Sequence, residues 1–122
     1  MNIQIRYNVN TKNLRDAVPA AYRNTASVIS SQIHGHVTLI VFPHDRRDVV
    51  KSNLTLKALK KIEGKSDNCI VAVGGCFTQE AAQLLNQYDT VFLTLSDHYW
   101  TDERYMYIRR GYHKIGEPEI ND

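Results

Sequence analysis

Short apolar runs alternate with amphipathic segments along this chain, which is the pattern of strands alternating with helices in an α/β fold. Three runs are continuous and rich in β-branched residues, as is typical of strands covered on both faces. These runs are Val37 to Phe42, Cys69 to Val73 and Thr90 to Leu95. They predict the centre of a parallel sheet.

The first apolar run differs because apolar and polar residues alternate in it. Its apolar positions are Ile3, Ile5, Tyr7 and Val9. Alternation predicts a strand that buries one face and leaves the other polar. Such a strand suits the edge of a sheet, whereas right-handed crossovers favour the order second, first, third and fourth strand. The sequence leaves both alternatives open.

Helices are predicted between these runs. The first spans about Val18 to Ile33, and Gly35 ends it. The second follows an apolar stripe from Val50 to Ile62 and ends at Gly64. The third spans Thr78 to Tyr88. The order of elements is therefore that of an α/β three-layer sandwich.

The last third of the chain is ambiguous. Residues 101–110 predict either a helix that ends at Gly111 or a strand through Tyr105 to Ile108, and residues 116–122 are predicted to be a frayed tail. The whole chain, residues 1–122, is predicted to form a single domain with a mostly parallel four-stranded sheet. We expect a flavodoxin-like or half-Rossmann arrangement.

Composition narrows the class of protein. The chain has 122 residues, of which 43% are hydrophobic and 23% charged, which fits one globular domain. No run reaches the roughly 18 apolar residues of a membrane span, and the first ten residues lack the apolar block of a secretory signal. The two cysteines, Cys69 and Cys76, are too few for a disulfide framework. We therefore expect a cytoplasmic protein with reduced thiols and no membrane partner.

The charges are distributed unevenly. The net charge is +2, but residues 1–65 carry +7 and residues 66–122 carry −5. This balance argues against broad nucleic-acid binding. It favours a small charged ligand or a complementary protein contact.

In a parallel sheet, the loops that follow the strands converge at the carboxyl edge, where ligands of open α/β sheets bind. The four predicted loops at this edge are residues 10–13, 43–48, 74–80 and 96–103. The sequence therefore predicts the site of this protein there.

The predicted ligand is an anion, nucleotide-like or phosphorylated. Gly74 and Gly75 follow a buried strand and precede a helix, whose free N–H groups and positive dipole end favour negative charge. The segment matches neither the dinucleotide fingerprint nor the P-loop. Arginines can add bidentate contacts to a phosphate, and an aromatic ring can stack on a base. The predicted ligand-binding residues are Gly74, Gly75, Thr78, Arg46, Arg47, Asp97 and Trp100.

An enzyme is the alternative. A helix start beside Cys76 would stabilise a thiolate, and His44 or His98 from neighbouring loops would lower its pKa further. These three residues are the candidate catalytic groups of a small transferase or hydrolase. Together with Asp45 and Asp97 they include metal-ligand types, but no local pair fixes two ligands at once, so no metal is predicted. The sequence identifies no cofactor.

A second alternative is an interaction module. Aromatic residues interleave with arginines between Tyr99 and Lys114, as is typical both of nucleic-acid contacts and of protein interfaces. This segment and the lysine-rich second helix would contact nucleic acid or an acidic partner, or would form a homodimer.

Two local segments resemble known families. IVAVGGCFTQEAAQLL resembles the strand, turn and helix around a glycine-cysteine pair in the amino-terminal domain of radical methylthiotransferases. The other cluster-binding cysteines of that family have no counterpart here, so the resemblance implies no iron–sulfur role for Cys76. YIRRGYHKIGE is similar to the closing stretch of acetyltransferases, whose acetyl-CoA pyrophosphate loop is missing. Neither resemblance assigns the chain to a family.

Overall fold

The computed structural model describes residues 2–45, 47–65, 69–85, 87–94 and, for the backbone only, 111–114. The strands of this part are β1 (Gln4–Asn10), β2 (His36–Val41), β3 (Val49–Val50), β4 (Cys69–Val73), β5 (Cys76–Phe77), β6 (Asp89–Thr94) and β7 (Gly111–Lys114). The helices are α1 (Leu14–Ala17), α2 (Arg23–Gln32), α3 (Ser52–Ile62) and α4 (Gln79–Leu85), with single 3₁₀ turns at Thr11–Asn13 and Ala20–Tyr22.

The main sheet has five strands in the order β1-β2-β4-β6-β7. Its three central strands are parallel, and an antiparallel strand lies at each edge. The continuous apolar runs form the centre because strands covered on both faces need apolar residues at every position. The α/β class and the parallel centre are confirmed.

Two apolar cores cover the two faces of this sheet. Successive residues of a strand point to opposite faces, so Leu39 and Val71 pack with α2 whereas Ile40 and Ala72 pack with α3 and α4. The α3 and α4 crossovers therefore lie on one face, as two successive right-handed connections between neighbouring strands require. The described residues form three layers.

The predicted strand order, with the first strand between the second and the third, was wrong. β1 lies at the edge and pairs with β2 in the antiparallel direction, with Gln4 opposite Val41 and Asn10 opposite His36. The mixed polarity of β1 fits this edge place. Because β1 runs opposite to β2, the loop at residues 10–13 lies at the amino edge of the parallel strands and not at the carboxyl edge as predicted.

A β-bulge in β1 also corrects the prediction that one face of this strand is apolar throughout. Between Arg6 and Val9 the strand has one residue more than its partner, and Asn8 has a φ of 56°. The extra residue reverses the alternation. Ile5 therefore packs on the α3 side, whereas Val9 is buried in the core on the α2 side.

The helices differ from the predictions mainly at their boundaries. The first predicted helix is α2 preceded by a 3₁₀ turn, and the third is shorter than predicted and begins at Gln79. Gly35 and Gly64, with φ of 113° and 73°, follow α2 and α3 as predicted.

Residues 101–110 lie outside the described residues, and β7 was not predicted. In the part of the chain that the structure describes, no helix is long and apolar enough to cross a membrane.

Candidate functional site

The loops that follow β2 and β4 are joined by a small second sheet at the carboxyl edge. β3 and β5 pair in parallel, with Val49 opposite Cys76 and Val50 opposite Phe77. The sequence does not predict this sheet, because strands of two residues have no periodicity. Its effect is to hold residues 43–45 and 47–50 against the glycine pair.

The glycine pair is required by this packing. A Cβ atom at Gly75 would collide with the carbonyl oxygens of Asp45 and Asp48. A Cβ atom at Gly74 would lie 2.9 Å from both the Phe77 ring and Val50 Cγ2. Backbone from the preceding loop therefore occupies the space beside Gly75.

The backbone N–H groups of this turn donate to carbonyls of the protein. The donors and acceptors are Gly74 to Leu93 (3.1 Å), Gly75 to Pro43 (3.2 Å), Cys76 to Asp48 (3.0 Å) and Thr78 to Val50 (3.0 Å). An anion cradle needs unpaired N–H groups directed at the ligand. These four amides offer none in this conformation. A ligand role for Gly74 and Gly75 stays a prediction.

Thr78 caps helix α4. Its side chain is buried, and its Oγ1 accepts the N–H of Ala81 at 3.1 Å. At an exposed helix start, solvent or a ligand accepts hydrogen bonds from the first N–H groups. In α4 the Thr78 side chain accepts from one of them. Binding by Thr78 also stays a prediction.

Tyr22 connects the loop after β2 to the turn after β4. It is completely buried, and its hydroxyl lies 2.6 Å from the carbonyl oxygen of His44 and 3.1 Å from that of Gly74. Since both partners are acceptors, the hydroxyl donates its one hydrogen to this pair. Burial, with smaller contributions from Asp45, Asp48 and Cys76, raises the pKa of Tyr22 well above its ordinary value of 10. The hydroxyl therefore stays protonated.

From the sequence, Tyr22 is predicted only as part of the first helix, which spans about Val18 to Ile33. A buried tyrosine needs an acceptor for its hydroxyl. That requirement was the available signal, but the sequence does not show which carbonyls would meet it.

His44 has a defined hydrogen-bonding state. Its ring is half-buried, and Nδ1 lies 3.2 Å from the carbonyl oxygen of Phe42. A carbonyl can only accept, so Nδ1 carries a hydrogen in this contact. The Tyr22 ring packs edge-on against it, with centroids 6.0 Å apart. These two contacts fix the orientation of the His44 ring.

The turn after His44 is closed by its own acidic residues. The N–H of Asp45 donates to Asp48 Oδ2 and the N–H of Asp48 donates to the Asp45 carbonyl, both at 2.9 Å. Arg47 is exposed in this turn, and Arg46 lies outside the described residues. α3 begins only at Ser52, so Arg47 lies in the loop before the helix.

A cavity of about 280 Å³ lies at this edge, between the start of β1 and the loop after β2. It is lined by Asn2, Gln4, Val41, Phe42, Pro43, His44, Asp45 and Asp48. The structure thus brings His44 together with two carboxylates and two amides. The sequence predicted the loop at residues 43–48 at this edge, with His44 and Asp45 as candidate groups, but it did not predict that Asn2 and Gln4 would line the site beside it, because β1 runs in the antiparallel direction.

The other predicted catalytic and binding residues are distributed as follows. Cys76 is 2% exposed and packed under the turn. Asp97, His98 and Trp100 lie outside the described residues, between Thr94 and Gly111, which are opposite each other in the β6–β7 pair. Among the residues that the structure describes, no three His, Cys, Asp or Glu side chains are close enough to hold a metal ion.

Comparisons with protein-family models, with curated proteins and with solved structures found no match for this chain.

Proposed function

We propose that the chain is a small-ligand-binding domain whose site is the cavity beside His44. The observation that carries this proposal is the convergence of an imidazole, two carboxylates and two amides on one apolar-floored cavity. Small-molecule sites are concave, mostly apolar and equipped with a few convergent polar groups.

The position of the cavity supports the proposal. The unit from β2 through α3, β4 and α4 to β6 has its strands side by side and both crossovers on one face. This arrangement resembles a half-Rossmann unit, in which the first turn between strand and helix contacts the ligand. The cavity lies beside that turn, which here begins at Phe42. We therefore interpret the half-Rossmann alternative as the better description of this part of the chain.

The lining also indicates the class of ligand. Asp45 and Asp48 are acceptors, and the amides of Asn2 and Gln4 both donate and accept. The donors of the glycine turn are already paired within the protein. A small polar molecule with several donors, such as an amine or a polyol, complements this set better than the phosphorylated ligand expected from the sequence.

A thermal-shift and calorimetric screen tests the proposal. Three classes of small molecule are compared at equal concentration: primary amines, neutral polyols and sugars, and nucleoside phosphates. We expect stabilisation by members of the first or second class, because a ligand that binds only the folded state raises the unfolding temperature. Stabilisation by nucleoside phosphates alone would support the sequence-based anion hypothesis and overturn the donor-rich assignment.

The His44→Ala variant locates the binding. Its matched control is His36→Ala, which removes an exposed histidine from the start of β2 at the opposite edge. We expect the stabilisation to be lost in the first variant and kept in the second. Equal stabilisation of both variants places the ligand elsewhere and refutes the proposed site.

A further inference from the structure

The outer side of β1 is an open strand edge. Among the described residues β1 pairs only with β2, so its remaining backbone N–H and C=O groups on the other side have no strand partner in that part of the chain. An unpaired edge is a template for a further strand. The bulge and the positive φ of Asn8 limit the regular part of this edge to the residues before it.

A groove follows this regular part. It has a volume of about 430 Å³ and lies between one face of β1 and the end of α3. Its apolar floor consists of Ile3, Ile5 and Tyr7, and Tyr7 is 41% exposed. The Tyr7 hydroxyl donates to the Lys61 carbonyl at 3.3 Å, which fixes the ring beside the end of the helix.

The rim of the groove is basic. Lys60, Lys61 and Lys65 line it with Glu63 as the one acidic residue, and all four are exposed. Within the described residues, none of the three ammonium groups forms an ion pair. Two of these lysines lie in the last turn of α3, where positive charge suits the helix dipole. Helix stabilisation does not account for Lys65 or for the apolar floor.

We propose that this edge and groove form a docking site for an extended acidic peptide segment of another protein, which adds a strand to β1. Main-chain pairing to an edge strand gives affinity, and side chains on alternate positions give specificity. Apolar side chains of the segment would cover Ile3, Ile5 and Tyr7 while its carboxylates approach the lysines. The same charges disfavour a second copy of this chain, because pairing two β1 edges would bring two lysine sets together.

The experiment uses fluorescence anisotropy with the full chain and a labelled peptide in which every second residue is in turn valine and glutamate, with threonine between them, so that apolar and acidic side chains both lie on the groove side of the added strand. Three peptides are compared: the parent, the same sequence with N-methylated amides at alternate positions, and a version with lysine in place of glutamate. We expect only the parent to bind, with an affinity that falls about tenfold or more when salt is raised from low to physiological strength. Binding of the N-methylated or lysine peptide with the affinity of the parent overturns the proposal, as does no binding at about 1 mM.

Paired charge-reversal variants locate the site. Lys60→Glu with Lys61→Glu reverses the charge of two of the three rim lysines, and Lys12→Glu with Arg23→Glu makes the same change in net charge at exposed positions outside the groove. We expect about tenfold weaker binding for the first pair and less than about a twofold change for the second. Equal loss in both pairs contradicts a local site. A single-stranded oligonucleotide that binds more tightly than the peptide, or a dimer in sedimentation that the first pair abolishes, also overturns the proposal.

Discussion

Two regions of the sheet differ in whether their backbone hydrogen-bonding groups have partners. At the carboxyl-edge junction, around Gly74 and Gly75, successive N–H groups donate to carbonyls of neighbouring loops and Tyr22 supplies a donor to two further carbonyls. Along the outer side of β1, the described residues provide no such partner. The junction has the sequence of a binding loop, whereas β1 has the sequence of an ordinary amphipathic strand.

A glycine pair after a strand therefore has two physical explanations. Glycine permits close approach of either a ligand or another piece of backbone. At Gly75 the neighbour is the loop backbone at Asp45 and Asp48. Whether a ligand or backbone occupies the space beside the glycine depends on the packing. Backbone groups that are accessible to a ligand therefore have to be identified in the structure.

The largest expected effect is at Gly75. In Gly75→Ala the new methyl group would overlap two backbone carbonyls, which cannot rotate away as a side chain can. We expect a loss of about 3 kcal/mol in the free energy of unfolding, measured by urea denaturation. The control is Gly64→Ala, where the surroundings are open but φ is 73°. The backbone strain there costs about 1 kcal/mol.

If both alanine variants lose the same amount, the close contact at Gly75 is not a determinant of stability and the contrast between the two regions weakens. A ligand-binding role for the turn would then regain support.

A smaller loss is expected for Tyr22→Phe, which keeps the ring and removes the donor shared by the His44 and Gly74 carbonyls. We expect about 1 to 2 kcal/mol, because buried acceptors are left without a donor. The matched control is Tyr7→Phe on the exposed face of β1, for which a change of only a few tenths of a kcal/mol is expected. A loss in the Tyr22 variant no larger than in the Tyr7 variant would show that the junction does not depend on this hydroxyl.

The same tyrosine predicts a pH dependence. Its pKa is raised in the folded protein, so the unfolded chain loses this proton first as pH rises. The resulting stabilisation is fully present below about pH 10, the ordinary tyrosine pKa, and is lost as pH rises above it. Urea denaturation across this range should show a steeper decline for the wild-type protein than for Tyr22→Phe. Parallel curves would contradict the buried environment of the hydroxyl.

The smallest effects are expected at the bulge in β1. Asn8 has a positive φ, which glycine adopts without strain and alanine does not. Asn8→Gly should leave the free energy of unfolding almost unchanged, whereas Asn8→Ala should lower it by under about 1 kcal/mol. In a regular strand glycine would be the worse of the two residues. The sign of the difference in urea denaturation therefore tests whether the open edge ends at this bulge.

The sequence by itself determined the class of fold and its central strands. Runs such as Val37 to Phe42 are apolar at every position, and only a strand covered on both faces needs that pattern. It also determined where α2 and α3 end, because Gly35 and Gly64 adopt backbone angles that other residues avoid. These features depend on residues that are neighbours in the chain, so the local sequence pattern is sufficient to predict them.

Only the tertiary structure decided the direction of β1, the small sheet of β3 and β5, and the residues around His44. Each depends on pairings between distant segments, such as Gln4 with Val41 and Val49 with Cys76. The bulge at Asn8 adds one residue to the strand and so places Ile5 and Val9 on opposite faces of the sheet. The alternating pattern alone predicts that they share one face. The identity of the candidate site changed for the same reason: the backbone that fills the space beside Gly75 comes from about thirty residues earlier in the chain.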